Sequence, residues 1–342
     1  MIRFDYERPS DVASATQAAH VGASPLPQVR FLAGGTNLID LMKENVEQPT
    51  KVVDINRLPL GKIEASPDGG LRLGALVSNA DTADNAEVNA RYPLLASAIL
   101  AGASPQLRNA ATNGGNINQR TRCYYFYDTA TPCNKREPGT GCGAMGGVNR
   151  IHAILGASTD CIATHPSDMC IALAALDAVV NVSGPDGDRQ IPFLDYHRLP
   201  GNEPWRDNHL KQGELVTSID LPAGDFSGHY TYLKLRDRLS YAFALVSVAV
   251  ALKVEGGKLA DVRIALGGVA HKPWRVPAAE AMLNGQAASP ELFHQAAARI
   301  LDGAVGQGTN DFKIELARRA IARALAQAVA GTPQSHTDKR IA

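Results

Sequence analysis

The chain has 342 residues, 45% hydrophobic and 20% charged, the make-up of a globular protein with a real core and room for two domains. Its 34 basic residues balance 34 acidic ones with no block of like charge, which argues against a nucleic-acid surface or a basic membrane patch. No apolar run reaches about 18 residues, so no membrane span is expected, and MIRFDYERPSD lacks the basic and apolar regions of a signal peptide.

In chain order, RFDYERPSD reads as a short strand and a turn, with Ser10 or Asp11 capping a helix through Ala19. QVRFLAGGTNLIDLMKE predicts a strand that breaks at Gly34-Gly35 and continues as a helix. A strand–glycine turn–helix offers bare backbone N–H groups to an anion, and glycine allows close approach. The same residues also suit a purely structural turn, and they form neither GxGxxG nor a P-loop.

KVVDI is a short buried strand, and KIEASPDGGLRLGAL a hairpin turning at Asp68-Gly69-Gly70. SNADTADN starts a helix capped by Ser78 or Asn79, and YPLLASAILAGAS is an apolar helix with Pro105 just past its end. LRNAATNGGNI leads to a second glycine turn, Gly114-Gly115-Asn116. Two such turns, each behind a mixed α/β segment, predict two small subdomains, about 1–57 and 58–223, gripping one extended ligand.

Between that turn and the helix start Pro166-Ser167-Asp168 lies an irregular stretch carrying Cys123, Cys133, Cys142 and Cys161. Five cysteines, with Cys170, make an odd and clustered set that fits a disulfide framework poorly and a metal site better. Thiolates suit iron, yet the x9, x8, x18 spacing is not the compact ferredoxin one, and zinc's usual CxxC pairs are absent. From the residues alone iron–sulfur, zinc and plain thiols all stay open. Cys170, in MCIALAAL, reads as a small core residue, and the Tyr124-Tyr125-Phe126-Tyr127 run as packing or as a shield for a site.

HPSDMCIALAALDA predicts a helix with Ser167 as N-cap, AVVNVSGPDGDRQIPF a hairpin turning at Gly184–Asp188, and LPGNEPWRDNHLKQGE a long surface loop before the strand LVTSIDLP. Beyond a boundary near Gly224, three long strands follow, the last two joined at Glu255-Gly256-Gly257-Lys258. Helices then close the chain, the last with Phe312, Leu316, Ala320, Ala324 and Ala328 as its apolar stripe. The expected fold is α+β: two α/β subdomains forming a cleft, then a three-stranded antiparallel sheet with helices over 224–331, and a polar tail, 332–342, read as disordered. No Ser–His–Asp or paired-carboxylate constellation is present, which disfavours hydrolysis.

AGGTNL at Ala33–Leu38, TNGGN at Thr112–Asn116, HPSD at His165–Asp168, KLRDRLSYAFALVSVA at Lys234–Ala249 and ALGGVAHKPWR at Ala265–Arg275 occur in this order. Together they resemble the FAD-binding subunits of the xanthine dehydrogenase, or molybdenum hydroxylase, family over nearly the whole chain. In that family the glycine–asparagine turn is followed within a few residues by the Ser-Asp step. Here residues from about 117 to 164 intervene and hold the cysteines. That insertion resembles family members whose flavin subunit also carries a 4Fe–4S cluster, such as the periplasmic aldehyde oxidoreductases and, more distantly, the 4-hydroxybenzoyl-CoA reductase β subunit.

The resemblance implies a PCMH-type FAD domain and an electron-transfer role beside a molybdopterin-binding large subunit and a 2Fe–2S small subunit, with an external electron acceptor. It implies FAD pyrophosphate against Ala33, Gly34, Gly35, Thr36, Asn37 and Leu38, with Arg30, Phe31 and Leu32 leading in and Thr112, Gly115 and Asn116 opposite. It further implies Ser167 and Asp168 on the flavin's hydroxyls, Lys234 near the isoalloxazine, and a 4Fe–4S cluster on Cys123, Cys133, Cys142 and Cys161. Read without it, Ser167 is a helix cap, Lys234 a solvated lysine, His165 a brace, and His271 and Trp274 structural or subunit contacts. A stand-alone flavin oxidoreductase and a zinc-stabilised interaction module are the competing readings. The family likeness also implies periplasmic location by co-export on a partner's signal, or a cytoplasmic one if the partner has none.

Overall fold

The computed structural model describes residues 1–20, 26 and 28–331; the tail expected to be disordered lies outside them. Three sheets organise the chain. Strands β1 (Asp5–Glu7), β2 (Val29–Leu32) and β3 (Lys51–Asp54) form a parallel sheet in the order β1-β3-β2. The expected first helix runs Val12–Ala19, and Asp11 rather than Ser10 caps it, in a reciprocal box with Ser14.

The second sheet is antiparallel and five-stranded. It joins β4 (Ile63–Ala65), β5 (Leu71–Gly74), β6 (Val179–Gly184), β7 (Gly187–Pro192) and β8 (Leu215–Leu221) in the order β4-β5-β8-β6-β7. Helix Pro93–Ala101 is apolar on nearly every side, and helix Asp168–Ala175 is buried at every residue; such helices can sit only inside a core. Ser78 caps helix Asn79–Asp84. Pro105 does more than follow a helix: it occupies the first position of the next one, Pro105–Ala110.

In the C-terminal part the expected three strands are present as β9 (Tyr230–Leu235), β10 (Val246–Glu255) and β11 (Lys258–Gly267). A two-residue strand, β12 (Trp274–Arg275), pairs with β11 and makes the sheet four-stranded. Strand β10 is buried on both faces. Val246, Val248, Val250 and Leu252 face the helices Pro277–Leu283, Pro290–Ile300 and Phe312–Ala330, while Ala249 and Ala251 belong to the core around helix Asp168–Ala175. Small residues are needed on that second face: a Cβ on Gly267 would lie 2.7 Å from Ile171 Cγ1. In the last helix Ala320, Ala324 and Ala328 are buried as expected, but Phe312 is exposed and Lys313 buried, because a four-residue step drifts about 40° around a 3.6-residue helix.

The cysteine-bearing stretch makes one short helix, Tyr124–Tyr127, a bridge between Cys133 and Cys142, and a small core of its own. Leu41 and Val46 share that core, so it sits directly behind the helix that follows the first glycine turn. Among the described residues no helix is long and apolar enough to cross a membrane.

Candidate functional site

A cleft of about 1350 Å³ runs between the two N-terminal sheets. It gathers every cofactor residue singled out in the sequence except Leu32, whose side chain does not reach it. On one wall, β2 ends at Leu32 and the chain turns into helix Leu38–Lys43 through Gly35, which adopts φ +73°. Gly34 is required for another reason: a Cβ there would lie 1.8 Å from the carbonyl oxygen of Ala110. The absent side chain lets the second subdomain close against the first. The N–H groups of Gly34, Gly35, Thr36 and Asn37 meet no protein acceptor among the described residues, and the buried Asn37 Nδ2 has no partner. The residues that carry these unmet backbone donors line the cleft.

The opposite wall differs from the expectation of a second open glycine turn. Thr112 caps a one-turn helix, Asn113–Ile117. The Gly115 N–H donates to Thr112 Oγ1 at 3.2 Å and the Asn116 N–H to the Thr112 carbonyl at 2.8 Å. Asn116 Nδ2 donates to Asn79 Oδ1 at 2.6 Å. These residues shape the cleft, and the Gly115 and Asn116 donors are spent within the protein.

At the cleft's inner end Ser167 caps helix Asp168–Ala175 and also donates through Oγ to Asn116 Oδ1 at 2.5 Å. Asp168 pairs with Lys234 Nζ at 2.7 Å and accepts from Tyr232 OH at 2.6 Å. Lys234 is therefore not the solvated lysine of the alternative reading; its side chain is 5% exposed and it also donates to the Ala101 carbonyl. Burial, with the Asp168 carboxylate beside it, pushes the Tyr232 phenol well above its ordinary range.

Behind the glycine turn lies an ionic hub centred on Arg120. Its N–H donates to Asn37 Oδ1 at 2.8 Å, and its guanidinium bonds Glu47 and, at 2.8 Å, Asp207. Glu47 also holds Arg30 at 2.6 Å, and Asp207 holds Lys135 Nζ at 2.5 Å. Burial works against the charge on Glu47, yet Arg30 and Arg120 outweigh it and hold the carboxyl at about 2. Lys135 also donates to the Pro204 carbonyl and meets His271 Nε2 at 2.6 Å. The 199–214 segment, read as a surface loop, thus supplies a half-buried carboxylate to the hub.

Lys135 reaches the cysteine core. Cys123, Cys133, Cys142 and Cys161 line one small internal gap, and all are free thiols. Burial pushes Cys123 to about 12 and Cys161 to about 11, so these two thiols stay protonated unless a cation binds and displaces the protons. No three of the four sulfurs lie within 4.8 Å of one another, whereas thiolates around a tetrahedral zinc sit about 3.8 Å apart. Four free thiols lining one small gap are a donor set that could hold a metal centre.

His165, Cys170 and His197 do come within 4.8 Å. Burial keeps all three neutral, raising the Cys170 thiol to about 12 and lowering His197 to about 4; this is a packed core contact, and Cys170 is the core residue its sequence indicated. Trp274 Nε1 donates to the Ile300 carbonyl at 3.1 Å, a structural role.

The family described as "FAD binding domain in molybdopterin dehydrogenase" matches residues 2–224, and "CO dehydrogenase flavoprotein C-terminal domain" matches residues 230–328. The chain belongs to the FAD-binding subunits of the molybdenum hydroxylase family. It is 49% identical to the aldehyde oxidoreductase FAD-binding subunit PaoB of Escherichia coli K12, over 96% of this chain and 99% of that one. It is 30% identical to the glyceraldehyde dehydrogenase medium chain of Sulfolobus acidocaldarius, over 79% of each. A solved carbon monoxide dehydrogenase of Hydrogenophaga pseudoflava superposes with a TM-score of 0.75 at 28% identity, covering 97% of this chain and 100% of that one.

For a FAD-binding subunit of this family the unmet donors of Gly34–Asn37 fit an anionic dinucleotide. The residues that sequence reasoning missed are Glu47, Arg120, Lys135, Asp207 and Tyr232. All are charged or polar side chains in stretches whose composition reads as solvated loop or strand surface. The one available signal was that Arg120 stands three residues before the first cysteine.

Proposed function

We propose that this chain is the FAD- and 4Fe–4S-carrying electron-transfer subunit of a molybdenum-dependent aldehyde oxidoreductase. It works with a molybdopterin-binding large subunit and a 2Fe–2S small subunit and delivers electrons to an external acceptor. The observation that carries the reading is the adjacency of two built sites, the donor-lined cleft and the four-thiol pocket, joined by the Arg120 hub.

When bound, FAD and the cluster supply the redox chemistry; the chain's residues bind, orient and insulate. Gly34–Asn37 would meet the pyrophosphate with backbone donors and Asn37 Nδ2. Ser167 and Asp168 would accept from the flavin's hydroxyls with the lone pairs that Asn116, Lys234 and Tyr232 leave free. The Asp168–Lys234 pair holds fixed charge at the cleft's inner end, and Lys234 offers a cation toward the ring system. Cys123, Cys133, Cys142 and Cys161 would hold the cluster, with Phe126 and Ala144 excluding water. The 49% identity to an aldehyde oxidoreductase subunit supports an aldehyde as the complex's substrate. We extend the reading to export into the periplasm on a signal carried by a partner.

The test is iron, acid-labile sulfide, zinc and flavin content of the anaerobically purified chain. About four iron and four sulfide per FAD are expected, falling on substitution of Cys123, Cys133, Cys142 or Cys161 by Ser. FAD without iron would sink the cluster, and zinc without flavin the whole reading.

A further inference from the structure

His152 is 1% exposed, and its Nε2 lies 3.0 Å from Cys123 Sγ. Its other ring nitrogen, Nδ1, is buried with no partner. The ring cannot drift, because its backbone is clamped from the C-terminal part of the chain. The His152 carbonyl accepts from Lys313 Nζ at 2.7 Å and from Asn310 Nδ2 at 3.1 Å. Asn149, which accepts the His152 N–H at 2.9 Å, is itself fastened to Gln307 and Thr309.

A buried neutral imidazole carries one N–H, and a thiolate only accepts. With the proton on Nε2, the short contact is a hydrogen bond and the unmatched atom is a lone pair. With the proton on Nδ1 and Cys123 a ligating thiolate, two electron-rich atoms would face each other at 3.0 Å. Once Cys123 is a ligating thiolate, the first tautomer is the one that turns this contact into a hydrogen bond. Among the described residues no other of the four sulfurs receives a side-chain donor; Cys161 Sγ takes only the Ala163 N–H, at 3.5 Å.

We propose that His152 donates an N–H···S hydrogen bond to the Cys123 thiolate and thereby raises the reduction potential of the iron–sulfur centre. This rests on the cluster reading above. A donor at a ligating sulfur stabilises the more negative, reduced form. His152 is a positioning and tuning residue, not a ligand, and through Asn310 and Lys313 the C-terminal part of the chain sets its aim.

The experiment is an EPR-monitored redox titration of the full-length, anaerobically purified chain as wild type, His152→Leu and His152→Gln, each with iron and sulfide quantified. In His152→Leu the reduced-to-oxidised ratio at a fixed poise falls about tenfold, a midpoint about 59 mV lower for a one-electron couple. The Gln amide, a donor of similar reach, restores most of that shift. An exchangeable proton coupled to the cluster is present in the wild type and the Gln variant and absent with Leu. A fully loaded His152→Leu protein with the wild-type midpoint overturns the hydrogen bond while leaving the cluster standing. Should His152→Leu lose its iron, a loaded Gln variant at the wild-type midpoint supports the donor, and one titrating well below it overturns the proposal. Wild-type protein without iron and sulfide removes the cluster reading, and this inference with it.

Discussion

Replacing Arg120 by Met removes a guanidinium that bonds Glu47 and Asp207 while leaving each carboxylate one other cation, Arg30 and Lys135 respectively. Taking one partner from a buried ion pair costs roughly 3–5 kcal/mol. The surviving cations put Arg120→Met near the lower end, about 3 kcal/mol, read as a lower urea midpoint at unchanged slope. A second consequence is more specific, because the segment that anchors Arg120 also fixes the Asn37 amide through the Arg120 N–H. If Asn37 Nδ2 donates to a phosphate as proposed, that bond would contribute roughly 1.5–3 kcal/mol, and Asn37→Ala would weaken FAD binding about 10- to 150-fold. Arg120→Met loses part of that, since its backbone N–H survives but is no longer held in place. If Arg120 acts through Asn37, the double variant binds FAD no worse than Asn37→Ala alone. Titrating FAD into the deflavinated chain and following fluorescence quenching measures all three. Losses that multiply in the double variant, or wild-type affinity in Arg120→Met, refute the coupling.

Gly34→Ala places a methyl against the Ala110 carbonyl; overpacking of this kind costs about 3 kcal/mol, and thermal unfolding together with retained flavin reports it. An unchanged melting temperature with full flavin would show that the two walls do not close as described. Lys234→Met leaves the buried Asp168 with Tyr232 as its one side-chain partner among the described residues and destabilises by roughly 3–5 kcal/mol. Adding Asp168→Leu recovers part of the loss, and urea unfolding of the single and double variants decides it. Glu47 is held at about 2, below its ordinary 4.5, so in acid the unfolded chain binds the proton first. That contribution, on the order of 3 kcal/mol, is complete above about pH 5 and lost as pH falls toward 2. Stability of Glu47→Gln is correspondingly flatter across that window, and equal slopes in the two proteins count against the pairing.

Features set by chemistry local in sequence were legible. The strand–glycine turn–helix at Ala33–Leu38, the Ser167 cap and the tight turn between β10 and β11 each depend on a few adjacent residues. The need for Gly34 was visible, but its cause was not, since the atom it avoids belongs to Ala110 in the other wall. The second glycine turn matched the first in composition, yet Thr112 consumes its donors by capping a helical turn. The hub was illegible because its members stand 73 and 87 residues apart along the chain; charged residues in Gly- and Pro-rich stretches read as solvated until a fold buries them against each other. Strand β12 is two residues long, too short for any alternation to show.

The position of the cysteine stretch follows from the same geometry. Its two ends are elements of the cleft, Asn113–Ile117 on one side and Ser167–Asp168 on the other, and the Ser167–Asn116 hydrogen bond staples them 2.5 Å apart. A segment inserted between two points already in contact leaves the surrounding sheets undisturbed, and lengthening it costs little, about 0.6 kcal/mol for each doubling. What it must supply is its own interior. The stretch does so with Cys123, Phe126, Cys133, Ala144, Cys161 and Ile162, and it borrows Leu41 and Val46 from beneath the glycine turn. That borrowing brings the thiol pocket to the cleft. An insertion anchored elsewhere could fold as well, but its sulfurs would not be linked to Asn37 through Lys135, Asp207 and Arg120. The place of insertion ties the second site to the first.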